Sequence, residues 1–458
     1  MRRISVRSIA DSTTITLLLL LAGLCAGSEL RPRDVAPGHV IPPSSDPFYT
    51  PPAGFENEKP GTILKVRNLG NNSLSAFGAF PQNIQNVYQY LYRTNDGLGK
   101  PTATVTTLAI PFNADLSKLV SHQIAEDSAT IDCAPSYALR QNSSVSDYLV
   151  QVEMLFIDTA LYRGWPVCFS DYEGPDAMFA VGRMAGHAVL DGIRAVLSDG
   201  HTNGLQPRAR VQMWGYSGGA LATGWAAQLH STYASEINIV GSAFGGTPVD
   251  LKYSIASLKG QPFASFATMA THGFMNQYKP MIAYIESILR PAKRDEFYRL
   301  KNVCITPVIR SFGVEGLDYF LQVDDISKEP IIKQILTNNT LGGVPPKFPI
   351  FMYHSMNDQV LPFGPAENLY TDWCQQGGRI EFVVDRYETH ARLEYLGTAN
   401  AFLFMEKIFR GDQVPEKCSK KVTTSSALNL AALRVFGEAI YNALRAIIGF
   451  PLGPKRKP

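Results

Sequence analysis

Hydrophobic and polar residues follow two successive patterns along the chain, and each predicts a different kind of structure. In the runs 61–67 and 103–111 they alternate, and many positions hold β-branched residues. This period of two predicts antiparallel strands between about 63 and 110. The preceding segment, 29–62, is rich in proline and polar residues, so we predict an arm without regular structure.

From residue 165 onward, short apolar runs alternate with segments of helical spacing. The runs predict strands at 165–170, 211–214, 237–244, 349–354 and 379–387. The spacing predicts helices at 178–197, 218–230 and 365–376. Strands that alternate with helices are typical of a mostly parallel, doubly wound sheet, so the sequence predicts an α/β fold.

The alternation stops between residues 250 and 345. This block of about 95 residues contains helical pieces rich in Phe, Met, Leu and Ile, broken by glycine and proline. It is too long for a simple connection between two strands, so we predict a helical cap inserted over the functional site. The core is then expected in two parts, 28–249 with the arm and 346–420, followed by a tail at 421–458.

The first residues have the pattern of a targeting segment. Three arginines among the first seven residues precede an apolar run at 15–24, and small residues follow at 26–28. The run is too short to span a bilayer, which favours a cleaved signal peptide at 1–27 and therefore secretion. The later apolar segment 428–450 carries three charged residues, so no integral membrane segment is predicted.

Composition and charge are those of an ordinary globular protein. Hydrophobic residues make up 45% of the 458 residues and charged residues 18%, and the net charge is +2. The basic residues are scattered, apart from Lys455, Arg456 and Lys457, which we interpret as a solvated end. We therefore expect no nucleic-acid partner. The protein is also expected to be a monomer.

Cysteine usage agrees with secretion. Five cysteines remain once Cys25 leaves with the signal peptide, and an odd number in an oxidising compartment predicts two disulfides and one free thiol. Cys168 lies in an apolar run, so we expect it to be the free thiol. Without a CxxC pair, no zinc site or other metal or cofactor is predicted. Glycosylation sequons stand at Asn71, Asn142 and Asn338.

The most informative motif lies between a predicted strand and a predicted helix. Residues 215–219 read Gly-Tyr-Ser-Gly-Gly and fit the G-x-S-x-G pattern. A serine on such a sharp turn needs small neighbours two positions before and after it. The turn would expose the hydroxyl of Ser217 and aim the Gly218 amide at an oxyanion. The alternative is a glycine-rich turn with an incidental serine.

A nucleophilic serine needs a histidine base, which in this chain order follows an acidic residue. Only His354 and His390 lie downstream of the cap. His390 is predicted in a short turn after a strand, with a helix starting near Leu393, where sites in parallel sheets lie. His354 ends its own strand and is interpreted as a structural residue. We therefore predict His390 as the base.

The acid is expected from the loop after the preceding strand. Asp358 lies just past the strand at 349–354, and one helix and one strand fit between it and the histidine. Asp385 and Glu381 fall within a predicted strand and are interpreted as surface positions, and Asp372 falls on a helix. We therefore predict Asp358, although a loop aspartate is often only a turn former.

Several strings in the chain resemble the fungal secretory lipases, the family of Candida antarctica lipase A. The resemblance includes the serine motif, the Asp358 loop and the Glu388-Thr-His390 turn. It extends over nearly the whole chain after the signal peptide, through the strings at 46–51, 126–137, 170–174, 190–195, 238–241 and 245–249. The segments 250–345 and 421–458 match less closely.

The resemblance implies an α/β-hydrolase fold with a triad of Ser217, Asp358 and His390. It also implies that the backbone amide of Asp127 is the second oxyanion donor, beside that of Gly218. The residues alone would not have singled out Asp127, because the chain lacks the HGGG string usual for that role.

The resemblance further implies the disulfides Cys133–Cys304 and Cys374–Cys418, which would leave Cys168 free. The block 250–345 then corresponds to the family's lid, and the tail 421–458 to its flap near the site.

Together these features predict a secreted serine lipase that hydrolyses carboxylic esters, expected to be triacylglycerols, through an acyl-enzyme on Ser217. The apolar lid would offer an acyl tunnel and an oil–water contact surface. A short-chain carboxylesterase or an acyltransferase of secondary metabolism would differ only in the pocket. A secreted serine peptidase would need groups that hold a peptide, and a non-catalytic lipid-binding protein would need a broken triad.

Overall fold

The computed structural model describes residues 40–458 except 79, 145–146, 415, 433, 436, 438–440, 443–451 and 455–458. The predicted signal peptide, 1–27, and the basic residues 455–457 lie outside the described residues. Within them, no helix is both long and apolar enough to cross a bilayer.

The strands are β1 (Ile63–Gly70), β2 (Ser75–Ala76), β3 (Phe80–Pro81), β4 (Asn86–Asn95), β5 (Pro101–Ile110), β6 (Lys118–Gln123), β7 (Val167–Ser170), β8 (Arg210–Tyr216), β9 (Ile239–Gly245), β10 (Ile350–Ser355), β11 (Ile380–Asp385) and β12 (Ser419–Thr423). In the described part of the chain, ten of them form one sheet in the order β1-β4-β5-β7-β6-β8-β9-β10-β11-β12, and β2 pairs with β3. The pairs β1–β4, β4–β5 and β5–β7 are antiparallel, as the period of two predicts for the first strands. From β7 to β12 the pairs are parallel.

The helices are α1 (Pro135–Ala138), α2 (Tyr148–Val152), α3 (Met154–Tyr162), α4 (Gly182–Ser198), α5 (Gly200–Asn203), α6 (Gly218–Tyr233), α7 (Leu251–Leu258), α8 (Ser265–Gln277), α9 (Pro280–Ile288), α10 (Arg294–Leu300), α11 (Ile305–Phe312), α12 (Leu317–Phe320), α13 (Pro330–Asn338), α14 (Phe363–Gln375) and α15 (His390–Arg410). Short 3-10 turns occur at Pro47–Tyr49, Phe55–Asn57, Ile131–Cys133, Pro291–Lys293, Ile326–Lys328 and Ser426–Leu428.

Both faces of the sheet are buried in its central strands, which explains why apolar residues of such a strand occur on both of its sides. In β8, Val211 and Met213 belong to the core shared with α4 and α6. Trp214 and Tyr216 point the other way, into the core shared with α3 and α15. Neighbouring residues of a strand face opposite sides, so helices on both sides are needed to cover them. The predicted mostly parallel α/β sheet is confirmed.

The register of the parallel strands brings their carboxyl ends to one edge of the sheet. Tyr216 of β8 pairs with Gly245 of β9, which pairs with Tyr353 of β10. Ser355 of β10 pairs with Asp385 of β11. The loops that follow these strands therefore start side by side, although they are far apart in sequence.

Two strands of the sheet were not predicted, for different reasons. β12 is an edge strand in which most residues are exposed, including two lysines, so it lacks the apolar alternation that identifies a half-buried strand. It also crosses the expected boundary between 420 and 421. β6 was not predicted because its residues 121–123 are polar although they are buried, so the sequence does not show the apolar run of a buried strand.

The predicted cap lies between β9 and β10 and contains α7 to α13; we call residues 250–345 the helical block. Cys304, just before α11, forms a disulfide with Cys133. A second disulfide joins Cys374 of α14 to Cys418, next to β12. Cys168 is free and buried. Both disulfides and the free thiol are as predicted.

Candidate active site

Ser217 occupies a strained turn between β8 and α6. Its φ is 54° and its ψ is −121°, a backbone conformation that residues other than glycine seldom adopt. The turn is possible only because its neighbours lack side chains. A Cβ on Gly215 would lie 2.4 Å from the Gly219 carbonyl oxygen, and one on Gly219 would lie 1.9 Å from the Gln123 oxygen. The amide of Ser217 donates to the Gly245 carbonyl at 3.0 Å.

The three predicted triad residues meet at the carboxyl edge of the sheet. Nε2 of His390 lies 2.9 Å from Oγ of Ser217, and Nδ1 of His390 lies 2.7 Å from Oδ2 of Asp358. His390 is the first residue of α15, capped by Thr389, rather than a turn residue before a helix near Leu393. Its ring nitrogens thus connect the hydroxyl to the carboxylate.

The carboxylate of Asp358 is buried and fully hydrogen-bonded. Oδ1 accepts from the amides of Val360 at 2.9 Å and Leu361 at 2.7 Å, while Oδ2 faces His390. Burial alone would raise the pKa of Asp358, but the charge and hydrogen bond of His390 hold this pKa below its ordinary value. Asp358 is therefore ionised and can orient and stabilise a charged imidazole.

Asp385, interpreted above as a surface residue, is buried. Its carboxylate accepts hydrogen bonds from the amide of Ser426 at 3.0 Å and from the Ser426 hydroxyl. Burial raises the pKa of Asp385 to about 6 despite these bonds. It anchors the segment after β12 to the end of β11 and does not contact His390. Glu381 is half-buried and Asp372 is exposed on α14.

Asp127 lies directly beside the serine turn, but its amide is already engaged. A Cβ on Gly218 would lie 1.9 Å from Oδ1 of Asp127, so this carboxyl packs against the glycine. Asp127 has a φ of 51°, a conformation that Asp and Asn tolerate better than other residues. Its amide donates to Oε1 of Glu173 at 3.1 Å. An oxyanion bound here would share or displace the Glu173 carboxyl.

Comparison with known proteins identifies the family. The secretory lipase family profile matches residues 139–416. Lipase A of Arthroderma benhamiae is 37% identical over 91% of this chain and 90% of that protein. Lipase 2 of Candida albicans is 36% identical over 91% of each chain. The chain belongs to the secretory lipase family. It is accordingly a lipase or related ester hydrolase, as the resemblance implied.

The fold of this family member agrees with a solved relative. The crystal structure of Candida antarctica lipase A in its closed state superposes with a TM-score of 0.75 at 30% identity, covering 91% of this chain and 99% of that one. This likeness confirms the predicted α/β-hydrolase fold.

An apolar cavity of about 50 Å³ lies beside the serine of this lipase family member. Ser217, Gly218 and Asp127 lie at one end of it. The rest of its wall is apolar and comes largely from α7, α8 and the loop after Asp358. It includes Leu221, Leu251, Leu258, Phe266, Phe274 and Val360. This lining has the apolar character that an aliphatic chain requires, with the serine at one end.

A group of buried carboxyls surrounds the Asp127 loop. Burial, with the charges of Glu153 and Asp147, raises the pKa of Asp127 to about 8. Burial likewise raises the pKa of Asp171 to about 7. Glu173 also has its pKa raised, by burial and then by the charge of Asp127. These carboxyls keep their protons in the fold at pH values where an unfolded chain has lost them.

We therefore expect thermal stability to fall between pH 6.5 and 8.5. Because the pKa values of Asp127 and Asp171 are raised, the contribution of these carboxyls to stability is greatest below their unfolded pKa of about 3.9 and is lost as pH rises to about 8. The buried residues His187 and His272, with pKa values lowered to about 4, change their contribution only below about 6.5, outside this window. The measurement is the Tm at both pH values by calorimetry.

In Asp127→Asn the Tm difference between the two pH values should be smaller, because Asn tolerates the same backbone conformation and cannot ionise. A wild-type Tm that rises from pH 6.5 to 8.5 would contradict the proton occupancy described above.

Two residues beside the predicted site, Glu173 and Gln359, were not predicted from the sequence. Glu173 accepts a hydrogen bond from the Asp127 amide, and Gln359 accepts one from the His390 amide at 3.0 Å. His354, interpreted above as a structural residue, does bond the Leu361 carbonyl and also lies 3.6 Å from Asp358. Glu173 belongs to one of the strings shared with the family, which was the available signal. His354 and Gln359 flank Asp358 in sequence, but nothing in their pattern indicates which way their side chains turn.

Proposed function

We propose that this secretory lipase family member is a serine hydrolase that cleaves carboxylic esters through an acyl-enzyme on Ser217. The observation that carries the proposal is the chain of two hydrogen bonds from Ser217 through His390 to Asp358, beside an apolar cavity. The hydroxyl of an isolated serine is a weak nucleophile, and an adjacent base oriented by an acid activates it.

In the first step, Nε2 of His390 takes the proton from Oγ of Ser217, and Oγ forms a bond to the ester carbonyl carbon. The carbonyl electrons move to its oxygen, which the amides of Gly218 and Asp127 would bind. Asp358 stabilises the charged imidazole. His390 then passes its proton to the alcohol oxygen as the carbon–oxygen bond of the ester breaks, and the alcohol leaves.

In the second step, water replaces the alcohol. His390 takes a proton from the water, whose oxygen bonds to the acyl carbon. The bond to Oγ breaks, Ser217 regains the proton, and the carboxylic acid leaves. The chain's own residues supply every proton transfer in this cycle.

The proposed substrates are esters with long acyl chains, with triacylglycerols foremost. The apolar wall contributed by α7 and α8 supports this proposal, because each buried methylene stabilises the bound chain by about 0.8 kcal/mol. The helical block would then serve as the lid of the acyl site. The small volume of the cavity favours the second candidate, a short-chain carboxylesterase.

Secretion is part of the proposal. The two disulfides are typical of proteins that fold in an oxidising compartment. The asparagines of the three sequons, Asn71, Asn142 and Asn338, are all exposed and so accessible to glycosylation.

The test is hydrolysis of p-nitrophenyl esters from acetate to palmitate by the secreted protein. We expect kcat/KM to rise by about threefold to fourfold per added methylene until the cavity is filled. An irreversible fluorophosphonate should label Ser217 with one equivalent. Activity confined to the acetate and butyrate esters would show that the protein is a short-chain carboxylesterase rather than a lipase. A folded protein that cleaves none of these esters would overturn the proposal.

A further inference from the structure

A second histidine lies against the carboxylate of Asp358. His354, on β10, has a relative exposure of 1%, and its Nε2 lies 3.6 Å from Oδ2 of Asp358. The same oxygen accepts a hydrogen bond from Nδ1 of His390 at 2.7 Å. Two buried histidines thus flank one carboxylate, yet the cycle described above uses only His390.

The hydrogen bond of the His354 ring shows which of its nitrogens carries the proton. Its Nε2 lies 3.0 Å from the carbonyl oxygen of Leu361, and a carbonyl can only accept, so Nε2 carries the hydrogen. No hydrogen-bond partner of Nδ1 is found among the described residues. Burial lowers the pKa of His354, outweighing the charge of Asp358, so the ring is neutral.

A neutral Nε2–H has two effects on Asp358. It holds the Leu361 carbonyl, and the amide of that same residue donates to Oδ1 of Asp358, so both ends of the loop 358–361 are tied. The partial positive charge of this N–H also lies near Oδ2 of Asp358. The distance is too long for a hydrogen bond but short enough for electrostatic attraction.

We propose that His354 is a positioning residue for the hydrolysis reaction. It holds the loop so that one oxygen of Asp358 faces two backbone amides and the other faces His390, and it draws part of the carboxylate charge away from His390. The inference rests on the proposed roles of Asp358 and His390 and adds a residue that the triad does not include.

The test compares His354→Phe with His354→Gln. Phenylalanine fills the space without a donor, whereas the glutamine amide nitrogen can reach the position of Nε2. We expect His354→Phe to lower kcat for p-nitrophenyl butyrate by about tenfold, the effect of losing one hydrogen bond near a charge. KM should change less than twofold, and His354→Gln should recover most of the activity.

The pH profile separates positioning from simple structural support. The titratable groups that act on His354 are Asp358 and His390. Without the Nε2–H, more of the Asp358 charge acts on His390 and favours its protonated form. Because the base must be neutral in the free enzyme, the acid limb of kcat/KM should move to higher pH by about half a unit.

His272 supplies a matched control. It is equally buried, its Nε2 lies 3.0 Å from the Phe297 carbonyl, and its Nδ1 also has no partner among the described residues, but it lies in α8. His272→Phe should lower the Tm without moving the pH profile.

An unchanged acid limb in folded His354→Phe would overturn the positioning role, and so would equal losses of kcat in the two histidine-to-phenylalanine variants. Neither result would affect the proposed function. That proposal fails only if the wild type does not hydrolyse esters or if the Ser217→Ala variant still does.

Discussion

Ser217→Ala should abolish ester hydrolysis, with kcat falling by about 10⁴- to 10⁶-fold. The alanine retains the turn and the oxyanion site but has no oxygen to form an acyl-enzyme. The backbone strain at φ 54° is unchanged, because alanine and serine meet the same steric limits. The measurement is kcat for p-nitrophenyl butyrate, with the Tm as a check of folding.

Ser242→Ala is the matched control for this loss. Ser242 is a fully buried serine of β9, next to β8 in the sheet, and its hydroxyl has no partner within the described chain. We expect its removal to leave kcat within about twofold of the wild type, because this hydroxyl has no hydrogen bond to lose. More than 1% of the wild-type kcat in Ser217→Ala would reject the proposed nucleophile.

Asp358→Asn should lower kcat by about 10³- to 10⁴-fold. Asparagine has nearly the same shape as aspartate, and its side-chain oxygen can still accept hydrogen bonds from the amides of Val360 and Leu361. It has no negative charge to stabilise a positive imidazole. Its NH₂ group would also donate to Nδ1 of His390, which favours the tautomer with the proton on Nε2, where a base must be free of it. The loss should therefore appear in kcat, while KM and the folded structure change little.

Asp385→Asn tests whether this loss is specific. Asp385 is also a buried aspartate at the end of a neighbouring strand, but it bonds Ser426 rather than His390. We expect kcat within about threefold of the wild type, together with a lower Tm from the weakened hydrogen bonds. If Asp385→Asn lost activity and Asp358→Asn kept it, the acid would have been assigned to the wrong strand.

The sequence was informative where short-range geometry limits the choice of residues. The glycines around Ser217 are required by steric limits within a few residues, so the motif alone predicts the turn. The order and spacing of Asp358 and His390 followed from the alternation of strands and helices. In the structure, Ser217 and Asp358 both lie within hydrogen-bonding distance of His390.

The sequence was least informative for polar groups buried by distant segments. The pattern of Asp385 is that of the polar end of a strand, but β12 pairs beside it and the turn after β12 bonds its carboxylate. The hydrogen bond from the Asp127 amide to Glu173 joins two loops that are far apart in the sequence. Whether a carboxyl is solvated or buried depends on which segments pack over it.

The sequence by itself predicted the α/β class and the serine turn, because local sterics and hydrophobic period leave few alternatives, and the order of its strands and helices predicted that Asp358 and His390 would lie near Ser217. The family followed from the resemblance of short strings along the chain. Tertiary structure alone decided the proton occupancy of the buried carboxyls, the position of His354 against Asp358 and the shape of the apolar cavity. Those properties depend on distances between residues far apart in the chain, and dielectric and charge effects change steeply over a few ångströms.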